Sequence, residues 1–344
     1  MNSFAQNTIE DFQKKTIEVN GIPFNQFNSI TQDQEGYLWL GTNEGLLKYD
    51  GYEVKVYKNK KEDATSIANN EVEKLYVDHE GILWIGTQIG ISRYKKTCDC
   101  FSNYYLTSSI QPTYIDTLFK GTSYGATNET VHAIVENQNE QLWIASLGDG
   151  LFQYDRKKDE FIPFLNQSQH LYSLKDRFIN ELLVDQQNQL WIGTQAKSKD
   201  TQSGLIRLDL NTGETKIFIH EPENFNSLID SRVTALLEDR QGRILVGTYQ
   251  TGLHLYHPRE ERFTRLKFDP AQPNTLHTSF SRKKIFGDYA AVNFLYQDRQ
   301  GGIWVSAYNE GLYRFNIADN EMLTYKYNPT QSSEFTSNYF KAIH

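Results

Sequence analysis

Four groups of residues in this chain have types that could carry chemistry. Gly121-Thr122-Ser123-Tyr124-Gly125 matches the Gly-x-Ser-x-Gly pattern, in which a sharp strand-to-helix turn exposes a nucleophilic serine. No helical pattern follows it and no strand–helix alternation surrounds it, so a glycine-rich loop is the better reading. Cys98 and Cys100 flank Asp99 where a turn into a strand is expected. A metal site would need further ligands nearby, and a disulfide between alternate strand positions is geometrically poor, so both are read as plain turn cysteines. The eight histidines are scattered. The closest pair, His254 and His257, lacks a third ligand in sequence range and is assigned to surface or packing roles. Asp33, Asp78, Asp185, Asp239 and Asp298 could serve as general acids or bases by type, yet they recur at one position of an internal repeat, which assigns them to turns. There is no Walker-type loop and no dinucleotide fingerprint, and neither a cofactor nor a metal is expected.

The repeat itself is the strongest signal. "ITQDQEGYLWLGTNEGLLKYDG" returns as "LYVDHEGILWIGTQIGISRY", "IVENQNEQLWIASLGDGLFQYD", "LLVDQQNQLWIGTQ" resumed by "GLIRLD", "LLEDRQGRILVGTYQTGLHLY" and "LYQDRQGGIWVSAYNEGLYRF". The anchors are Trp39, Trp84, Trp143, Trp191, Leu245 and Trp304, spaced 45, 59, 48, 54 and 59 residues apart. That spacing matches one four-stranded propeller blade and exceeds a leucine-rich or ankyrin unit. In "VDHEG" the Asp78 carboxylate can accept turn hydrogen bonds while Gly81 supplies a positive φ, so an inner strand reverses into the tryptophan strand. That second strand is apolar on both alternating faces, as a strand covered from two sides must be. A glycine-bearing turn, a third strand and an outer strand complete the unit. One such unit cannot bury both faces alone, so its copies must stack and close into a ring.

The expected fold is therefore all-β: a β-propeller of four-stranded blades, with six complete repeats and a started seventh. Residues 1–11 form an amino-terminal extension and 12–344 a single propeller whose last blade is incomplete. Residues 12–17 ("FQKKTI") are a candidate outer strand to fasten the ring, and "SSEFTSNYFKAIH" resembles one more inner strand. A formal charge of −8 and a pI near 5.6, without a basic stripe, disfavour nucleic acid and anionic membrane surfaces. No apolar run is long enough to span a membrane, and "MNSFAQNTIEDF" lacks the apolar core of a secretion signal.

Long insertions fall near 104–128, 196–203 and 277–290, at connections that leave one end of an antiparallel blade. Either they mark a binding face or they are loops the fold tolerates there; the binding reading is favoured. The same end receives the residues just after each "GT" or its equivalent: Asn43, Glu44, Gln88, Asp149, Gln195, Tyr249, Gln250, Tyr308, Asn309 and Glu310. Amides and carboxylates can bond hydroxyls, and tyrosine faces can pack on sugar rings. These ten are the candidate ligand-binding residues, though strand ends that merely meet solvent would carry similar types.

The pattern D-x-x-G-x-L-W-I-G-T-x-x-G-L-x-x-Y-D resembles the two-component regulator propeller repeats of bacterial sensor proteins. The opening "VNGIPFNQFNSITQDQEGYLWLGTNEGLLKYDGYEVKVY" resembles the first blade of the sensor region of hybrid two-component systems. That resemblance implies paired seven-bladed propellers, a β-sandwich, a membrane helix and a histidine kinase with its regulator, or in some relatives a diguanylate cyclase. It also implies oligosaccharide ligands, a periplasmic location and a dimer. This chain is then expected to be the amino-terminal, non-catalytic propeller of a longer receptor. The alternatives are a propeller enzyme acting on polysaccharide, as lyase or glycosidase, and a protein-interaction scaffold.

Overall fold

The computed structural model describes residues 18–19, 22–23, 27–106, 130–147, 149–164, 177–196, 203–249, 252–269, 272–278, 291–307, 311–317 and 321–325. All the regular elements there are strands, and they form six antiparallel four-stranded blades in the order of the six sequence copies. Blade 2 shows how the repeated phrase folds. Its inner strand Val72–Val77 pairs with Leu83–Thr87, which pairs with Gly90–Lys95, which pairs with the outer strand Cys100–Tyr104. In the first turn Gly81 takes φ +77°, and Asp78 Oδ1 accepts the backbone N–H groups of Glu80 at 3.1 Å and Ile82 at 2.9 Å. Leu83 to Thr87 are buried at every position, because neighbouring blades cover both faces.

The second oxygen of the turn carboxylate has its own task. Asp78 Oδ2 accepts from Trp84 Nε1 at 2.9 Å, so the group that shapes the turn also satisfies the buried indole six residues later. Asp33 with Trp39 (2.8 Å), Asp185 with Trp191 (2.7 Å) and Asp298 with Trp304 (2.9 Å) repeat the bond. In blade 5, where Leu245 takes the tryptophan's place, Asp239 accepts from Arg243 Nε at 2.5 Å instead. In blade 3 Asn137 stands where the acid should be, and Trp143 Nε1 is buried without an acceptor.

Successive blades pack face to face, so among the described residues the apolar core is divided among five junctions. The glycine of "LWIGT" lies at the closest approach. A Cβ on Gly86 would sit 2.8 Å from the carbonyl oxygen of Val131, the first inner-strand residue of the next blade; on Gly41, Gly193 and Gly247 it would sit 2.7 Å from the side-chain Cγ1 of Val72, Val233 and Val292. A second fastening lies at the outer end of the blades. Asp99, Asp159 and Glu261 occupy left-handed turn positions, with φ of 52°, 57° and 48°, and each reaches back to the preceding blade. Asp159, for example, accepts from Arg93 Nη1 at 2.9 Å and from the Tyr104 hydroxyl at 2.6 Å.

The inner strands of all six blades border one channel. The proposed closing strand at 12–17, the seventh inner strand in 332–344 and the Gly121–Gly125 motif lie outside the described residues; the first described element is a short hairpin of Glu18–Val19 with Ile22–Pro23. Blade 5 carries an addition that Pro270 and Pro273 obscure in the sequence. Its outer strand Arg262–Asp269 overshoots the blade, and Gln272–Thr278 returns beside it, with Thr278 opposite Leu266 and Thr275 paired with Glu321 of blade 6. This hairpin joins the two blades into one nine-stranded sheet.

The reading of Cys98 and Cys100 as plain turn cysteines is corrected: they are bonded to each other. They do not occupy alternate positions of one strand. The left-handed Asp99 folds the chain between them and brings their Cα atoms to 5.2 Å, inside disulfide range. His254 is a packing residue, 1% exposed, and burial together with the Arg265 charge pushes its imidazole down to about 3. His257 is partly buried and its Nε2 lies 2.8 Å from Thr264 Oγ1.

Candidate ligand-binding site

Antiparallel pairing sets the two ends of the propeller. The Asp-bearing turns lie at one end, and the turns after "GT" lie at the other together with the starts of the inner strands. The three long segments leave the described strands at Tyr104, Ala196 and Thr278, all at that second end. It also holds every described candidate, while Gln250, Tyr308, Asn309 and Glu310 lie outside the described residues.

The candidates differ in what they offer. Asn43 Oδ1 accepts from Asn28 Nδ2 at 2.6 Å, which ties the first rim turn to the start of its inner strand. Glu44 is exposed, and its backbone N–H donates to Thr42 Oγ1 at 2.9 Å. Gln88 is 9% exposed, with its backbone bonded to Glu71 and to the Thr130 hydroxyl of blade 3, so its role is mainly structural. The Asp149 backbone N–H donates to Ser146 Oγ at 2.9 Å, so Ser146 is the side chain that caps this turn. Gln195 continues the tryptophan strand of blade 4 opposite Phe178. Tyr249 is 43% exposed, with the Arg232 guanidinium 4.6 Å from its ring centre; Arg232 in turn holds Asp230 through contacts of 3.1 and 3.0 Å. Glu44 and Tyr249 are thus the candidates most available to a solute, one acidic and one aromatic.

Beneath the rim is the channel, a cavity of about 590 Å³. Its mouth is stitched by polar side chains five residues ahead of three of the turn acids: Asn28 donates to Val72 O (3.0 Å), Asn180 to Val233 O (2.8 Å) and Thr234 to Val292 O (2.7 Å). Each bond runs from one blade to the next. Further in, Lys74 Nζ of blade 2 meets Glu181 Oε1 of blade 4 at 3.4 Å, past the intervening blade 3. The rim residues were selected by their place after each "GT"; the stitches and the ion pair are what that selection passed over. A polar residue at a fixed offset before the acid was the available signal for the stitches.

The turn acids are not placed for general acid or base work. Asp78 has a fully buried side chain and is committed to two backbone N–H groups, an indole and Arg156 Nη2 at 3.2 Å. Asp298 is held below the usual carboxylate range: burial opposes this, but bonds from Arg314 and Trp304 outweigh it.

Comparison with known proteins agrees with this architecture. The two component regulator propeller family model matches residues 21–44, 66–88 and 227–250, within copies one, two and five. A histidine kinase of Formosa agariphila is 41% identical over 61 residues, covering 18% of this chain and 4% of that protein. Among solved structures, the extracellular domain of a putative hybrid two component system from B. thetaiotaomicron superposes with a TM-score of 0.65 at 22% identity, covering 91% of this chain and 36% of that one. Virginiamycin B lyase from Staphylococcus aureus shares the fold at a TM-score of 0.55 and 12% identity, over 87% of this chain and 83% of that one. The chain therefore spans about a third of the solved sensor domain, and the fold alone is common to a sensor and an enzyme. No helix among the described residues is long and apolar enough to cross a membrane. Three of the six repeats thus match the two component regulator propeller model.

Proposed function

We propose that this propeller is a non-catalytic sensing domain of a bacterial signal-transduction receptor, lying outside the cytoplasm. In this reading it recognises an oligosaccharide at its decorated end and passes the event to a histidine kinase elsewhere in the receptor. The carrying observation is the repeat family itself, matched in three copies and shared locally with a histidine kinase. The commitment of the turn acids to indoles and backbone supports a binding role over a catalytic one. Relay requires the ligand to bind two arrangements of the receptor unequally, so contacts with further receptor domains and a homodimer belong to the same proposal. So does the treatment of 12–344 as one propeller domain after an extension of 1–11.

Titration calorimetry of the chain against a panel of glycan fragments tests the ligand class. Binding is expected, and Glu44→Ala or Tyr249→Ala should weaken it by about 10-fold, equivalent to about 1.4 kcal/mol. Absence of heat with every fragment would remove the saccharide from the proposal. Turnover of any fragment would replace it with a polysaccharide-cleaving propeller.

A further inference from the structure

Lys74 and Glu181 are the part of the channel that neither the repeat nor the rim explains. Both follow a register break in their inner strands, between Val72 and Lys74 and between Ile179 and Glu181, at equivalent places in blades 2 and 4. At that register blade 3 carries only Ala133. A long cation and a long anion therefore meet at 3.4 Å along the wall of a cavity of about 590 Å³, with 31% and 23% of their side chains exposed.

We propose that the central channel binds a small zwitterionic solute of the amino-acid class, whose carboxylate is taken by Lys74 and whose ammonium is taken by Glu181. The size falls within the range of about 300–1,000 Å³ typical of small-molecule sites. The charges decide the class. A partly exposed ion pair contributes about 0–1 kcal/mol, so opening it costs little. A solute with one charge would pair with one partner and forgo the second pairing, leaving the other side chain to the water of the lumen. A solute with both charges exchanges one pair for two and leaves none alone. Its remaining polar atoms meet the inner-strand backbone that lines the same space. The channel site is separate from the saccharide site at the rim and stands without it.

The test uses the whole chain and a panel of zwitterionic amino acids and betaine, each beside its amide and its deaminated acid, read by calorimetry and by thermal melting. At least one zwitterion should bind, with both singly charged analogues about 10-fold weaker or worse. Lys74→Met and Glu181→Gln should each lose at least about 10-fold, whereas the charge-reversed pair K74E/E181K should keep binding within a few-fold, because the solute can turn end for end. Three results would overturn the inference: no zwitterion binding up to about 10 mM, equal binding of the singly charged analogues, or unchanged binding in the two single variants. Should the variants unfold, the panel on the unaltered chain still decides.

Discussion

The junction between blades 2 and 3 and the next one round, between blades 3 and 4, use the same strand positions and fill them differently. At the first, Trp84 Nε1 is bonded to Asp78, Gly86 admits Val131, and Arg93 with Tyr104 and Tyr154 closes on Asp159. At the second, Trp143 Nε1 has no acceptor, Ala145 faces Ile179, and the equivalents of Arg93, Tyr154 and Asp159 are Gln153, Leu208 and Gly213. Yet both junctions bury a continuous apolar cluster. The buried stripe and the hairpin geometry are therefore what make a blade stack, and the polar fastenings are added on top. In a solenoid-like stack each interface contributes its own increment, so one sparsely fastened junction is tolerated while its neighbours hold.

The largest difference should appear when the turn residue is removed. Asp78→Ala deletes an indole acceptor, two turn bonds and one of several partners of Arg156, leaving buried donors unmatched; about 3–5 kcal/mol of stability should go. Asn137→Ala removes only turn bonds to Asn139 and Gln141 and a contact with the Gln141 side chain, and should cost about 1–2 kcal/mol. Urea unfolding curves of the two variants check this, and equal losses would deny the indole any part in it.

A second expectation sets the blade 4–5 junction against the latches. His254 is buried and held neutral down to about 3, whereas the unfolded histidine takes its proton near 6.5. Its folded value is depressed, so the unfolded state binds more protons between these limits and stability falls as pH drops from about 6.5 towards 3. Between pH 7 and 5 that slope amounts to about 2 kcal/mol, and His254→Gln should remove most of it. Asp99 works in a lower window. Partial burial opposes its ionisation, but bonds from Lys55, Tyr57 and Tyr94 hold it at about 2, so its contribution is present above the usual carboxylate value and lost as pH falls through about 2. Melting temperatures across pH for both proteins separate the two windows.

Trp84→Phe against Trp143→Phe isolates the indole bond from the bulk of the ring. The first leaves Asp78 Oδ2 with one donor fewer and should cost about 1–3 kcal/mol, while the second removes an N–H that had no partner and should cost less than about 1 kcal/mol. Similar costs would mean that ring volume alone sets the stability of both junctions.

How much of this was legible follows from how far apart the interacting residues lie. The Asp turn, the positive-φ glycine and the tryptophan strand are local, so the blade could be derived from one copy and the ring from six. The Asp–Trp bond was legible too, because a fixed spacing of six residues recurs in four copies and fails where Asn137 and Leu245 intervene. Lys74 and Glu181 are 107 residues apart and meet only because the inner strands curve round one channel, a relation no local pattern carries. The Cys98–Cys100 bond depended on a left-handed Asp99, and Asp159 and Glu261 adopt that conformation without any cysteine. As for the rim, sequence placed its residues at one end of the blades; their availability to a solute, high for Tyr249 and low for Gln88, is a matter of packing.

The smallest effect is also the most direct repair. Asn137→Asp would restore at the third blade the carboxylate found at this place in the other five, six residues before an indole that is already buried. The two backbone bonds from Asn139 and Gln141 need only the oxygen that Asn137 already offers at 3.0 and 2.9 Å, so the turn should persist. Against the new bond stand the loss of the Asn137 Nδ2 contact with Gln141 and the proximity in sequence of Glu136 and Glu140. Arg156 bonds to Glu136 and to the backbone of Glu140, which tempers that repulsion. A net gain of about 1 kcal/mol is expected, seen as a higher urea midpoint at unchanged slope and as slower exchange of the Trp143 indole proton. The gain should vanish in acid, where the new carboxyl is protonated and only one of its oxygens remains a good acceptor. If the midpoint does not move while the indole proton does become protected, the bond forms and the unpaired indole was never a burden, which would make the junction between blades 3 and 4 as sound as its neighbours by packing alone.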